Sequence, residues 1–123
     1  MKRILLVDDE LPLLELLSHR LKSWGYEVLT AANGEEGLRV AETERPDLVL
    51  LDIRMPRMNG REMCARLRAR RDSSQLPVIF LTALGMPEQI EEAFLAGPDD
   101  YIVKPFKSAE LKERIQNCLM AKA

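Results

Sequence analysis

One histidine and two cysteines are all the imidazole and thiol in the 123 residues of the chain. His19 alone cannot supply the two or three imidazoles of a typical zinc site. Cys64 and Cys118 have neither CxxC spacing nor the density of a disulfide scaffold, and both sit within patterns of helical spacing, which fits a reducing cytoplasm. Long apolar runs are missing too. Leu48 to Leu51 and Val78 to Leu81 fall far short of the roughly 20 residues that cross a bilayer, so no membrane span is expected. Ile4 to Val7 follows Lys2 and Arg3, but Asp8, Asp9 and Glu10 end that run well before signal-peptide length, and the start of the chain reads as structural. Positive charge is not in excess: 18 Lys plus Arg against 20 Asp plus Glu leave a net −2. No global field exists to hold a phosphate backbone, and direct contact with nucleic acid is not expected.

What is present is a globular composition, 46% hydrophobic and 31% charged, in the length of one ordinary domain spanning 1–123. Short apolar runs alternate with longer segments of helical spacing, and the alternation occurs five times. The runs are Ile4 to Val7, Tyr26 to Thr30, Leu48 to Leu51, Val78 to Leu81 and Tyr101 to Val103. Three of them are nearly continuous, as strands covered on both faces should be. Leu13, Leu14, Leu17, Leu21 and Trp24 give the first helix its apolar stripe, with Pro12 in its first turn and Gly25 at its end. Asn33 with Glu36 resembles a capping box opening a second helix that stops before Pro46. Met63 and Leu67 face a third helix inward. A fourth is expected from near Pro87 to Gly97 and Pro98, burying Ile90, Ala93 and Phe94. Ser108 is expected to cap a fifth, with Leu111, Ile115 and Leu119 inward. Right-handed crossovers close five such units into a three-layer α/β sandwich around a parallel sheet.

In an open α/β sheet, ligands bind beyond the carboxyl ends of the strands. Asp8, Asp9 and Glu10 follow the first strand, Asp52 the third, Thr82 the fourth, and Lys104 with Pro105 the fifth. Two carboxylates about 4 Å apart repel by roughly 4 kcal/mol at an effective dielectric near 20, and Lys104 offsets only one negative charge. Oxygen ligands without imidazole or thiolate suit a hard divalent cation, here Mg²⁺, with Mn²⁺ able to substitute. A divalent cation beside a spare carboxylate, a lysine and a hydroxyl is equipment for phosphoryl transfer. Asp52 is the candidate nucleophile, Lys104 would clamp the phosphoryl oxygens and Thr82 would donate its hydroxyl to them.

The segments LLVDDE, LDIRMPRMNG, IFLTA and DDYIVKPF, in this order and spacing, resemble the receiver domain of two-component response regulators of the chemotaxis-regulator type, over essentially the whole chain. The resemblance implies a doubly wound, flavodoxin-like fold with five helices and sheet order 2-1-3-4-5. It implies that Asp52 accepts a phosphoryl group from a sensor histidine kinase or phosphotransfer protein. Asp9, Asp52 and the backbone carbonyl of Arg54 would ligate Mg²⁺, with Asp8 assisting. Thr82 and Tyr101 would be switch residues, the first drawn inward and the second swinging into the vacated space. The face of the fourth helix, fifth strand and fifth helix would then change its preference for an effector protein or effector domain, or for a second copy in a phosphorylation-dependent homodimer. Such a module is not an enzyme with an external substrate; it catalyses only its own phosphorylation and dephosphorylation. Phosphorylation places about −1.5 to −2 charge and three acceptor oxygens at one point, enough to bias a two-state element.

Plainer readings stand beside these. A receiver-like module that docks partners without phosphate would lack some acidic residues or the lysine, and here the set is complete. A flavin phosphate would be repelled by Asp8, Asp9 and Glu10, and a phosphohydrolase would want a second acid where Arg54 stands. Arg66, Arg68, Arg70 and Arg71 read as a solvated helix end placed favourably for the dipole. His19 reads as a boundary residue, Met55, Met58 and Met63 as packing, and Pro56 and Gly60 as turn chemistry. Pro98 removes a backbone N–H before the fifth strand. Leu84, beside the pocket, is expected to exclude attacking water.

Overall fold

The computed structural model describes residues 1–53, 59–71, 73–82 and 97–121. Arg54, Met55, Pro56, Met58, Leu84 and the helix expected from near Pro87 lie outside these, apart from Gly97 and Pro98 at its end. Five parallel strands, β1 (Arg3–Val7), β2 (Glu27–Ala31), β3 (Leu48–Asp52), β4 (Val78–Thr82) and β5 (Asp100–Val103), form one sheet in the order β2-β1-β3-β4-β5. The described helices are α1 (Leu11–Ser23), α2 (Gly34–Glu44), α3 (Gly60–Ala69) and, after β5, α4 (Ser108–Ala121). The last of these is the fifth helix of the sequence reading.

Strand alternation divides the interior in two. Leu5, Val7, Val49, Leu51, Val78 and Phe80 point to the face covered by α2 and α3, where they meet Ala41, Met63, Cys64 and Leu67. Ile4, Leu6, Leu48, Leu50, Ile79 and Leu81 point to the other face, against Leu14, Leu17 and Leu21 of α1 and Leu111, Ile115 and Cys118 of α4. Each fully buried side chain of this kind contributes about 1.5–3 kcal/mol over its exposed state, which explains why β1, β3 and β4 read as nearly unbroken apolar runs.

The helix ends follow local chemistry. Pro12 lies in the first turn of α1, and Gly25 leaves it at φ +93°. Asn33 Oδ1 accepts the Glu36 N–H at 2.9 Å, and the Glu36 carboxylate returns to the N–H of Ala32, one residue ahead of the cap. Asn59 caps α3 in the same way, accepting from Glu62 N–H at 2.9 Å, a cap the sequence reading passed over. Ser108 is the first residue of α4 rather than its cap, and the Lys107 carbonyl accepts from Glu110 and Leu111.

The arginines of α3 are not one solvated set, as the sequence alone suggests. Arg66 and Arg70 make exposed pairs with Glu62 and Glu42, as a solvated helix end should. Arg68 does not belong with them. Its guanidinium donates to the carbonyls of Gly97 (2.8 Å) and Leu76 (2.6 Å) and to the Asp99 carboxylate (2.8 Å). Asp99 also accepts from Val78 N–H and donates its own N–H to Val78 O. Arg68 therefore ties the end of α3 to the beginnings of β4 and β5.

Candidate functional site

Parallel register brings the strand ends to one line. Val7 pairs with Leu51, Asp52 with Leu81, and Thr82 with Val103. Asp8, Asp52, Thr82 and Lys104 consequently stand at the same edge of the sheet, the carboxyl edge, where a ligand site belongs.

Asp8 extends β1 by one residue, its N–H donating to Ala31 O at 3.1 Å. Its side chain is fully buried; Oδ1 accepts the Glu10 N–H at 3.0 Å, and Oδ2 lies 3.3 Å from Lys104 Nζ. Asp52 closes β3, is 5% exposed, and places Oδ2 3.5 Å from the same ammonium. Lys104 follows β5 and precedes a cis peptide to Pro105. One lysine thus bridges two buried carboxylates held by two different strands.

The acidic group is completed by Glu10: carboxylate oxygens of Asp8, Glu10 and Asp52 all lie within 4.8 Å of one another. Asp9 is exposed and stands outside that group. Sequence reasoning placed Glu10 at the edge without giving it a role, because its approach depends on the Asp8 turn that folds its backbone back. Among the described residues the three carboxylates face one ammonium, and repulsion at this separation is of order 3 kcal/mol per pair at an effective dielectric near 20. The donors are oxygen alone and closely spaced, which fits a hard divalent cation such as Mg²⁺.

Thr82 is the last residue of β4. Tyr101 is half-buried on β5, packed against the α2–α3 side of the core. Arg54 lies outside the described residues. Gly60, expected only to shape a turn, opens α3 against the backbone of Asp52 and Ile53, and its N–H donates to Ile53 O at 2.9 Å. The thiols take no part. Cys64 and Cys118 are buried, and burial pushes the Cys64 thiol up to about 11, with Arg68 opposing and Asp99 reinforcing the rise. His19 is exposed on α1. No described helix is long and apolar enough to cross a membrane.

Comparison with known proteins agrees with this geometry. Residues 4–116 match the family model of the response regulator receiver domain. A probable transcriptional regulator of Cyanophora paradoxa is 46% identical over 96% of this chain and 48% of its own length, so the chain spans about half the length of that curated relative. Among solved structures, the response regulator TrrA of Thermotoga maritima, in complex with Mg²⁺ and BeF, is 41% identical with a TM-score of 0.86, covering 96% of this chain and 99% of that one. The receiver domain of a sensor histidine kinase from Pseudomonas aeruginosa, with a magnesium ion coordinated in its active-site cleft, is 36% identical with a TM-score of 0.90, covering 96% and 97%. A matched family model over nearly the whole chain, the sheet order and the acidic edge lead to one conclusion: the chain belongs to the response regulator receiver domain family of two-component systems.

Proposed function

We propose that the chain, acting as one unit over residues 1–123, accepts a phosphoryl group on Asp52 from a phosphohistidine of a sensor histidine kinase or phosphotransfer protein in the cytoplasm. The observation that carries this is Lys104 Nζ lying 3.3 Å from Asp8 and 3.5 Å from Asp52, in a group of three closely spaced carboxylates. Asp8, Asp9, Asp52 and the Arg54 carbonyl would hold Mg²⁺, with Glu10 close by; when bound, the ion neutralises the carboxylates and the developing phosphoryl charge. An Asp52 carboxylate oxygen forms the new bond to phosphorus as the P–N bond to the donor imidazole breaks. Lys104, held by Asp8 at the rim, is positioned to exchange that carboxylate for a phosphoryl oxygen. The Thr82 hydroxyl donates to another.

The added charge biases a two-state element in which Thr82 moves inward and Tyr101 follows. The face that includes β5 and α4 then changes its preference for an effector protein, effector domain or second copy. Direct contact with nucleic acid or membrane forms no part of this reading, and the chemistry is the chain's own phosphorylation and dephosphorylation rather than turnover of an external substrate.

The test is intact mass after incubation with Mg²⁺ and acetyl phosphate, beside an Asp52→Asn control. A gain of one phosphoryl group that needs both Mg²⁺ and Asp52 is expected. No gain, under conditions that label another receiver, would overturn the proposal in favour of phosphate-independent docking.

A further inference from the structure

We infer that Gly60 is a positioning residue for the acidic site, setting where the Asp52 backbone sits. The requirement is one of space. Gly60 is not among the glycines with positive φ, Gly25 and Gly97, so its backbone conformation is open to any residue. A Cβ at position 60 would instead collide with the carbonyl oxygen of Asp52 and come within 2.8 Å of Ile53 Cα and 3.0 Å of the Asp52 carbonyl carbon. Those atoms are backbone, with no flexible end to swing aside.

Asp52 is anchored on its other side by its pairing with Leu81 of β4. Only two responses to the collision are open. Either the Asp52 peptide shifts, carrying its carboxylate relative to Asp8 and Lys104, or α3 withdraws, breaking the Gly60 N–H bond to Ile53 O. Both alter the site without touching any charged group. Gly37 makes a useful contrast, because a Cβ there meets first the flexible end of Met63, at 2.8 Å from Cε, and that end can move.

The inference rests on the proposed phosphoryl acceptance for one of its two readouts only. Wild type, Gly60→Ala and Gly25→Ala are compared, the last as a stability control. Gly25→Ala, at φ +93° with open space around the added methyl, loses stability through backbone strain at the end of α1 remote from the carboxyl edge. The first readout is the Mg²⁺ concentration giving half the Mg²⁺-dependent rise in Tm; the second is the rate of labelling by acetyl phosphate. Wild type and Gly25→Ala are expected to agree within about twofold on both. Gly60→Ala is expected to need roughly 10-fold more Mg²⁺ and to label 10- to 100-fold more slowly, the scale of loss that a misplacement of up to about 1 Å produces. Should Gly60→Ala fold only in a stabilising osmolyte, all three proteins are measured in that same osmolyte. Either readout at the wild-type level in folded Gly60→Ala overturns the inference. If wild type itself is not labelled, the phosphoryl reading fails and the Mg²⁺ comparison alone decides the role of Gly60.

Discussion

At the edge where the strands begin, two neighbouring aspartates each have an arginine: Asp99 meets Arg68 at 2.8 Å, and Asp100 meets Arg114 at 2.6 Å, with side chains 23% and 22% exposed. At the edge where the strands end, Asp8 and Asp52 share Lys104 at 3.3 and 3.5 Å, with side chains 0% and 7% exposed. The same residue types serve opposite ends. The amino edge is short-range, matched and partly solvated, and its pairs fasten helices to strands. The carboxyl edge is deeper and looser, with one lysine shared between buried carboxylates among the described residues, an arrangement that favours an incoming cation or phosphoryl group over the bare protein. Charge compensation therefore separates scaffold from site more sharply than charge density does.

Three perturbations test this contrast. The largest effect belongs to Arg68→Ala, which strips Gly97, Leu76 and Asp99 of one shared donor. A loss of about 3 kcal/mol in urea unfolding is expected, and a loss below about 1 kcal/mol would show that the clamp is decorative. Asp52→Asn should go the other way. In Mg²⁺-free buffer it relieves repulsion among closely spaced carboxylates and gains about 1–2 kcal/mol. At saturating Mg²⁺ the order should reverse, because wild type binds the ion more tightly in its folded state. An Asp52→Asn variant less stable than wild type without Mg²⁺ would remove the case for a strained site. The smallest effect concerns Cys64, one turn before Arg68 on α3. Burial raises its thiol from an ordinary value of 9.0 to about 11. From about pH 9 to 11 the unfolded chain gives up this proton while the folded chain keeps it, so stability falls as pH rises through that window. Cys64→Ala should show a shallower fall, by about 1 kcal/mol across the window, and identical slopes would place the thiol's burial in doubt.

Much of this molecule can be read from its residues. The five strands appear as apolar runs because β1, β3 and β4 are covered on both faces, and a parallel sheet must deliver Asp8, Asp52, Thr82 and Lys104 to one edge. The Asn33 cap was visible because its Glu36 partner lies three residues away. Sheet order was not visible in periodicity; it came with the family resemblance, since any right-handed arrangement of five units has the same hydrophobic pattern. Arg68 is hidden in the sequence for a related reason. Its partners lie 8, 29 and 31 residues away, and helical spacing distinguishes it in no way from Arg66. Gly60 reads as turn chemistry because nothing local reports that the backbone at the end of β3 fills the space of its missing Cβ. Glu10 carries no role in the sequence alone, because only the folded Asp8 turn shows which acids of the run converge.

The division of the interior by the sheet also shapes how this sequence can drift. Ile4 and Leu5 are neighbours in the chain but belong to opposite cores, whereas Leu5 and Met63, 58 positions apart, share one. Substitutions on the two faces should combine additively, and compensating changes should be found within a face. The α1–α4 side can therefore be repacked by successive substitutions while the α2–α3 side, which holds Asp52 against Gly60, stays fixed. A lineage is free to remodel one half of the molecule without renegotiating the other.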